Sequence, residues 1–202
     1  EPNVITNKTG NVYATLKEAY FGFLHNEKLR LLSLSSIIGN GFGEASYQFQ
    51  AAFYQFVWPA WAIPLAKVLS NLGAATGFHF AGRIIKKINT IKLLALDNLS
   101  SRVLNSIAVL FPSVFSPILM SGTSVMYGIA VTGRSALMQK EFRDEQRATM
   151  GSLNSFAGSI FFAIVAFLLG FVADKLNPAH AFLILQGFQL SNLFIYLKLF
   201  RK

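Results

Sequence analysis

Six apolar segments, each long enough to cross a lipid bilayer, dominate the sequence. A spanning helix needs about 20 mainly apolar residues, because each residue adds about 1.5 Å toward a hydrocarbon core about 30 Å thick. Only 13% of the residues are charged, whereas a soluble domain has about 25%. The pattern therefore predicts an all-α membrane protein with a bundle of six transmembrane helices in region 29–202. The predicted spans are 29–53, 61–82, 91–111, 117–137, 150–172 and 179–199.

The region before the first span, residues 1–28, has a different pattern. Apolar residues recur at helical spacing between Val12 and Leu24, which is typical of an amphipathic helix. Thr15 and Glu18 have the spacing of a capping box at a helix start. We expect a cytoplasmic segment with a helix on the membrane surface; a plain linker is the alternative.

The Lys and Arg residues alternate between the predicted linkers. Fifteen of the 18 lie before the first span, after the last, or around the second and fourth linkers, a group in which we include Arg134; the other linkers hold only Lys175. Basic residues in short loops stay on the cytoplasmic side. Both termini are therefore predicted to be cytoplasmic in a cell membrane. The net charge of +9 is spread over short loops at the headgroups, which favours anionic lipids rather than nucleic acid as partners.

Four charged side chains fall inside the predicted spans away from their ends, namely Glu44, Lys67, Asp97 and Arg102. A charge near the bilayer centre costs about 2.5 to 3.5 kcal/mol on insertion scales, so such groups usually face a bundle interior or a wet cavity. By helical rise, Glu44 and Lys67 lie at similar depths and are expected to pair. Asp97 and Arg102 are about 140° apart around a helix, so different partners are expected. A role in solute or proton movement and a structural ion pair both fit these residues.

Uncharged polar residues extend this candidate set. Asn40, Glu44 and Gln48 repeat every four residues and form one polar stripe on the first span. Ser124 and Tyr127 on the fourth span are candidates for neutral contacts to a solute.

No catalytic or metal-binding pattern stands out in the sequence. It has no Cys and three scattered His, which excludes a thiolate metal site. Gly39 and Gly43 lie inside an apolar span rather than in a phosphate-binding loop, and their spacing suits close helix packing. Neither an enzymatic activity nor a cofactor is expected.

Short motifs in several places resemble the C-terminal half of a major facilitator superfamily transporter. Residues 137–153, LMQKEFRDEQRATMGSL, are similar to that family's loop between the tenth and eleventh helices. The pentapeptide GFVAD at 170–174 resembles the end of the eleventh helix, and EKLRLL at 27–32 resembles the start of the seventh. The family's cytoplasmic gate loop after the eighth helix corresponds here to Gly82, Arg83, Lys86 and Lys87. Lys86 stands where that loop carries an Asp, so the sequence departs here from the family's gate motif.

The resemblance implies a fold, a partner and a function. It implies secondary active transport of a small organic solute by alternating access between two six-helix bundles. The partner would be the N-terminal bundle, in the same protein or in another chain. The first span would be the family's seventh helix, which lines the cavity, so Glu44 would face the solute. The tenth-to-eleventh loop favours proton-coupled efflux by an antiporter. The alternative is a membrane receptor or assembly subunit that keeps the fold without transport.

Overall fold

The computed structural model describes residues 17, 21, 23–142 and 147–201, and these residues contain helices and no strand. The predicted surface helix lies mostly outside this described part, although residues 23–25 are helical. A short 3₁₀ turn, Ala60–Ala62, precedes the second helix. The helices are α1 (Glu27–Tyr54), α2 (Ile63–Lys87), α3 (Thr90–Leu110), α4 (Ser116–Gly122), α5 (Ser124–Glu141), α6 (Arg147–Lys175), α7 (Pro178–Gln189) and α8 (Ser191–Phe200).

Asparagine side chains set the starts of three helices. Asn26 accepts from the Leu29 amide at 3.0 Å at the start of α1. Asn89 accepts from the Ile91 amide at 2.9 Å before α3. Asn177 accepts from the His180 amide at 2.9 Å before α7. The first backbone amides of a helix have no partner within it, so a side-chain oxygen that accepts from one stabilises the start.

The fourth and sixth predicted spans are each divided at one residue. The Thr123 amide bonds to Met120 O at 3.3 Å between α4 and α5, and the Leu190 amide bonds to Gly187 O at 3.1 Å between α7 and α8. These are i to i+3 bonds, which tighten one turn of an otherwise continuous helical path.

The all-α prediction is confirmed for the described residues, while the number of spans stays a prediction. Within the part of the chain that the structure describes, three stretches are long and apolar enough to cross a bilayer: Thr90–Leu110, Arg147–Lys175 and Pro178–Phe200. The last of these combines α7 and α8.

Two apolar clusters lie toward opposite ends of the bundle, and a third, which contains Ala45, Val165 and Leu185, packs α1 against α6 and α7. The cluster near the start of α1 contains Leu32, Leu94 and Tyr196. The cluster near the end of α1 contains Phe53 and Phe182. Along α3, four polar residues between Leu94 and Ala108 belong to the candidate site, namely Asp97, Ser101, Arg102 and Asn105.

Contacts between helix ends show that the predicted basic linkers meet at one end. Lys28 Nζ lies 2.6 Å from Glu141 Oε1, which joins the start of α1 to the end of α5. Lys92 lies 5.3 Å from the centre of the Phe200 ring, which joins the start of α3 to the end of α8. At the opposite end, Trp58 Nε1 donates to Val114 O at 2.7 Å.

Two details of the sequence analysis are corrected here. Arg134 does not belong to the basic end: α5 continues to Glu141, so Arg134 lies about two turns inside the helix and is 8% exposed. The gate-loop residues Gly82, Arg83, Lys86 and Lys87 are exposed but helical, because α2 runs to Lys87. Only Ile88 and Asn89 connect α2 to α3.

Candidate functional site

A cavity of about 600 Å³ lies in the polar middle of the bundle. Its wall comes from α1, α2, α3, α5 and α6, and most of its residues are polar or small. The lining residues are Gly39, Asn40, Gly43, Glu44, Ser46, Tyr47, Gln50, Ser70, Asn71, Ala74, Asp97, Ser101, Arg102, Asn105, Thr123, Ser124, Tyr127, Ser155, Gly158, Ser159 and Phe162.

The polar stripe of α1 supplies one wall. Asn40 and Glu44 line the cavity one turn apart, as the four-residue spacing requires. Gln48 does not line it; its Nε2 donates to Glu44 Oε1 at 2.9 Å and so positions the carboxylate. The Glu44 side chain is exposed, which leaves its carboxylate open to the cavity.

The opposite wall is a polar stripe on α3. Asp97, Ser101 and Asn105 are spaced by four residues and line the cavity together with Arg102. The Ser101 hydroxyl donates to Asp97 Oδ1 at 3.2 Å. Both residues line the same cavity, but no ion pair within 4.0 Å joins them in the described part of the chain, so the expectation that they have different partners stays a prediction.

Lys67 is placed beside the cavity rather than in its wall. Its ammonium group donates to the Tyr47 carbonyl and lies 3.4 Å from the centre of the Tyr47 ring. No ion pair within 4.0 Å joins Lys67 to Glu44 in the described residues, so the predicted pair is not formed. Glu44 lies about one turn of α1 before Tyr47, and its charge therefore still acts on Lys67.

Arg134 is the buried charge that the sequence analysis missed. Its Nη1 donates to Ser35 O at 3.4 Å, and the guanidinium fills the space left by the missing side chain of Gly39. The positive charges of Arg102 and Arg134 both act on Asp97. The predicted fourth span, 117–137, contains Arg134 three residues from its end, so Arg134 was grouped with the basic linker; a span extended to Glu141 would have placed it with the intramembrane charges.

The remaining walls carry hydroxyl groups. Ser124 Oγ on α5 lies 3.0 Å from Ser70 Oγ on α2, and this bond ties the two helices together at the cavity. Tyr127 lies one turn beyond Ser124 and is 49% exposed. On α6, Ser155 and Ser159 also line the cavity.

A chain of buried amides supports the α3 wall from behind. Asn105 Nδ2 donates to Gln186 Oε1 at 3.4 Å, and Gln186 Nε2 donates to Ser46 Oγ at 3.3 Å. Asn105 and Gln186 are 2% and 1% exposed. The chain fixes the Asn105 amide across α3, α7 and α1.

No protein-family model, curated protein or solved structure matches this chain. The resemblance to a major facilitator half therefore rests on the sequence motifs, and the function is argued from the cavity and the helices around it.

Proposed function

We propose that the chain is the C-terminal six-helix half of a secondary transporter, which moves a small organic solute across the cell membrane by alternating access. The observation that carries the proposal is the polar cavity of about 600 Å³, with charged residues of α1 and α3 in its wall. Sites for small molecules typically measure about 300 to 1,000 Å³. Apolar clusters lie toward each end of the bundle, beyond the polar residues of α1 and α3 that line this cavity.

The distribution of polarity among the helices supports the proposal. The helices that fall short of the hydropathy of a membrane span, α1, α2 and α5, all line the cavity. The most apolar stretch is α6, and residues such as Ile164 and Phe167 on it are exposed. Helices that face a wet cavity on one side need less apolar surface than those surrounded by lipid. All six predicted segments are therefore compatible with crossing the membrane.

The rim of the cavity supports a second bundle as partner. Asn40, Glu44, Asn71 and Ser155 line the cavity and are also exposed. Polar groups of this kind are costly to leave in contact with hydrocarbon. A second six-helix bundle would cover them and complete the pathway, and the basic end of this bundle would face the cytoplasm among anionic lipids.

The proposal is tested by solute flux. Proteoliposomes containing the protein with its partner bundle are screened with radiolabelled amino acids, organic cations, organic anions and sugars, with and without a pH gradient. We expect uptake of at least one solute, reduced at least tenfold by Glu44→Gln and by Arg102→Gln. Lys175→Gln, which changes an exposed charge outside the cavity, is the matched control. Binding without flux would favour the receptor alternative, and full activity of the double variant would remove both residues from the mechanism.

A further inference from the structure

Residues of the cavity wall have hydrogen-bond donors and hydrogen-bond acceptors that lack a partner. Arg102 Nε and Nη1 are buried and have no hydrogen-bond partner. The acceptors Gln50 Oε1 and Asn105 Oδ1 are also buried without a partner, although both residues line the cavity. Buried polar groups are almost always paired in proteins, so each unpaired group here calls for a ligand or water.

The charged side chains nearby do not pair with the guanidinium donors of Arg102. Asp97 lines the same cavity, but among the described residues no ion pair within 4.0 Å joins the two side chains. The hydrogen bond that Asp97 receives comes from Ser101. The guanidinium of Arg102 therefore keeps donors available for an anionic group.

The unused acceptors belong to a different set of residues. The Glu44 carboxylate is exposed to the cavity, and the bond that it accepts comes from Gln48. Gln50 and Asn105 are 7% and 2% exposed. The bond from Asn105 to Gln186 uses the amide nitrogen, and the amide oxygen of Asn105 has no hydrogen-bond partner. These oxygens suit a group that only donates, such as an ammonium.

We propose that the cavity binds a zwitterionic solute, with its carboxylate on Arg102 and its ammonium group on Glu44 and the two amide oxygens. This inference rests on the proposed transport function and names its substrate class. A guanidinium forms strong, charge-assisted hydrogen bonds to a carboxylate. The ammonium group supplies three donors, and Tyr127 in the wall adds an aromatic ring that attracts a cation. One zwitterion therefore satisfies both unused sets without adding net charge to the cavity.

The test compares ligands that share one carbon skeleton. Phenylalanine, 2-phenylethylamine and 3-phenylpropionate form one set, and leucine, isopentylamine and 4-methylpentanoate form another; glycine betaine is added as a zwitterion without N–H donors. Binding to the protein in nanodiscs is measured by calorimetry and by the shift in Tm. We expect one zwitterion to bind at least tenfold more tightly than its amine and its acid, and glycine betaine to bind more weakly than the primary ammonium zwitterion.

Two variants separate the ends of the ligand. Arg102→Gln should weaken binding of the zwitterion at least tenfold and leave the amine unaffected, whereas Glu44→Gln should weaken the zwitterion and the amine and spare the acid. Arg102→Lys, which keeps the charge, controls for folding and should retain part of the affinity. An amine or an acid that binds as tightly as its zwitterion, unchanged binding in both variants, or no binding across the panel would overturn the inference.

The two proposals fail in different ways. A protein that transports only singly charged solutes would keep the transport function and overturn the zwitterion assignment. A protein that binds a zwitterion as described but never moves it across the membrane would keep the zwitterion assignment and overturn the transport function.

Discussion

Gly77 and Gly128 face each other where α2 crosses α5. A β-carbon added to Gly77 would lie 3.0 Å from the carbonyl carbon of Val125, and one added to Gly128 would lie 2.9 Å from the Phe78 nitrogen. Both neighbours are backbone atoms, which cannot move without shifting a whole helix. The two glycines therefore set the distance between two helices that line the cavity.

Gly77→Ala should lower the stability of the protein, because the added methyl group forces the helices apart. Overpacking of this kind costs about 1 to 3 kcal/mol, although alanine itself favours a helix by up to about 1 kcal/mol over glycine. Thermal unfolding in detergent measures the effect. Gly170→Ala on α6 is the matched control, since no atom lies within 4 Å of its added carbon. Equal Tm values for the two variants would contradict the close crossing.

The Lys28 to Glu141 contact predicts a pH dependence at the basic end. The bond from Lys28, assisted by Asn26, lowers the pKa of Glu141 below its ordinary value of 4.5. The stabilisation is therefore complete above that ordinary value and is lost as the pH falls through the lowered pKa. Glu141→Gln should reduce Tm at pH 7, and its difference from the wild type should shrink as the pH is lowered below 4.5.

Asp174→Asn serves as the control for the pH experiment, because it removes an exposed carboxylate on α6. Its Tm relative to the wild type should change less with pH than that of Glu141→Gln. A difference between wild type and Glu141→Gln that stays constant from pH 7 to pH 3 would show that the contact does not stabilise the folded protein.

The alternation of helix ends predicts which residues share a side of the membrane. The chain has no Cys, so single cysteines can be introduced without first removing native ones. We expect cysteine at Arg83, near the end of α2, to be labelled from one side of a sealed vesicle, and cysteine at Lys175, at the end of α6, from the other. A membrane-impermeant maleimide applied before and after permeabilisation measures this. Labelling of both from the same side would overturn the topology.

The sequence was sufficient to predict the helices and part of the cavity because both depend on local patterns. The four-residue spacing of Asn40 and Glu44 places them on one helix face regardless of what packs against it. Ser124, Tyr127, Asp97 and Arg102 also line the cavity. Polar residues in apolar segments turn inward because exposure to lipid is costly.

What the sequence did not predict depends on contacts between helices. Lys67 was expected to pair with Glu44 from depth alone, but depth does not specify rotation, and its ammonium group bonds to Tyr47 instead. Gly43 was expected to pack against a helix, yet no atom lies within 4 Å of an added β-carbon there. Gly73 and Gly77 have the same four-residue spacing and do meet α4 and α5. Spacing identifies candidates for close packing, and only the neighbouring helix decides among them.

The most direct measurement of the central claim is whether the polar cavity is filled with water in the membrane. Single cysteines at Asn40 and Ser124, which line the cavity, are compared with cysteine at Phe167, which is 77% exposed on the apolar surface of α6. Their reaction with a small, charged methanethiosulfonate reagent is followed in intact membranes. We predict rapid modification of Asn40→Cys and Ser124→Cys, protection by a bound solute, and little reaction of Phe167→Cys. Reaction at Phe167→Cys with none at the two cavity positions would contradict a transport pathway through this bundle.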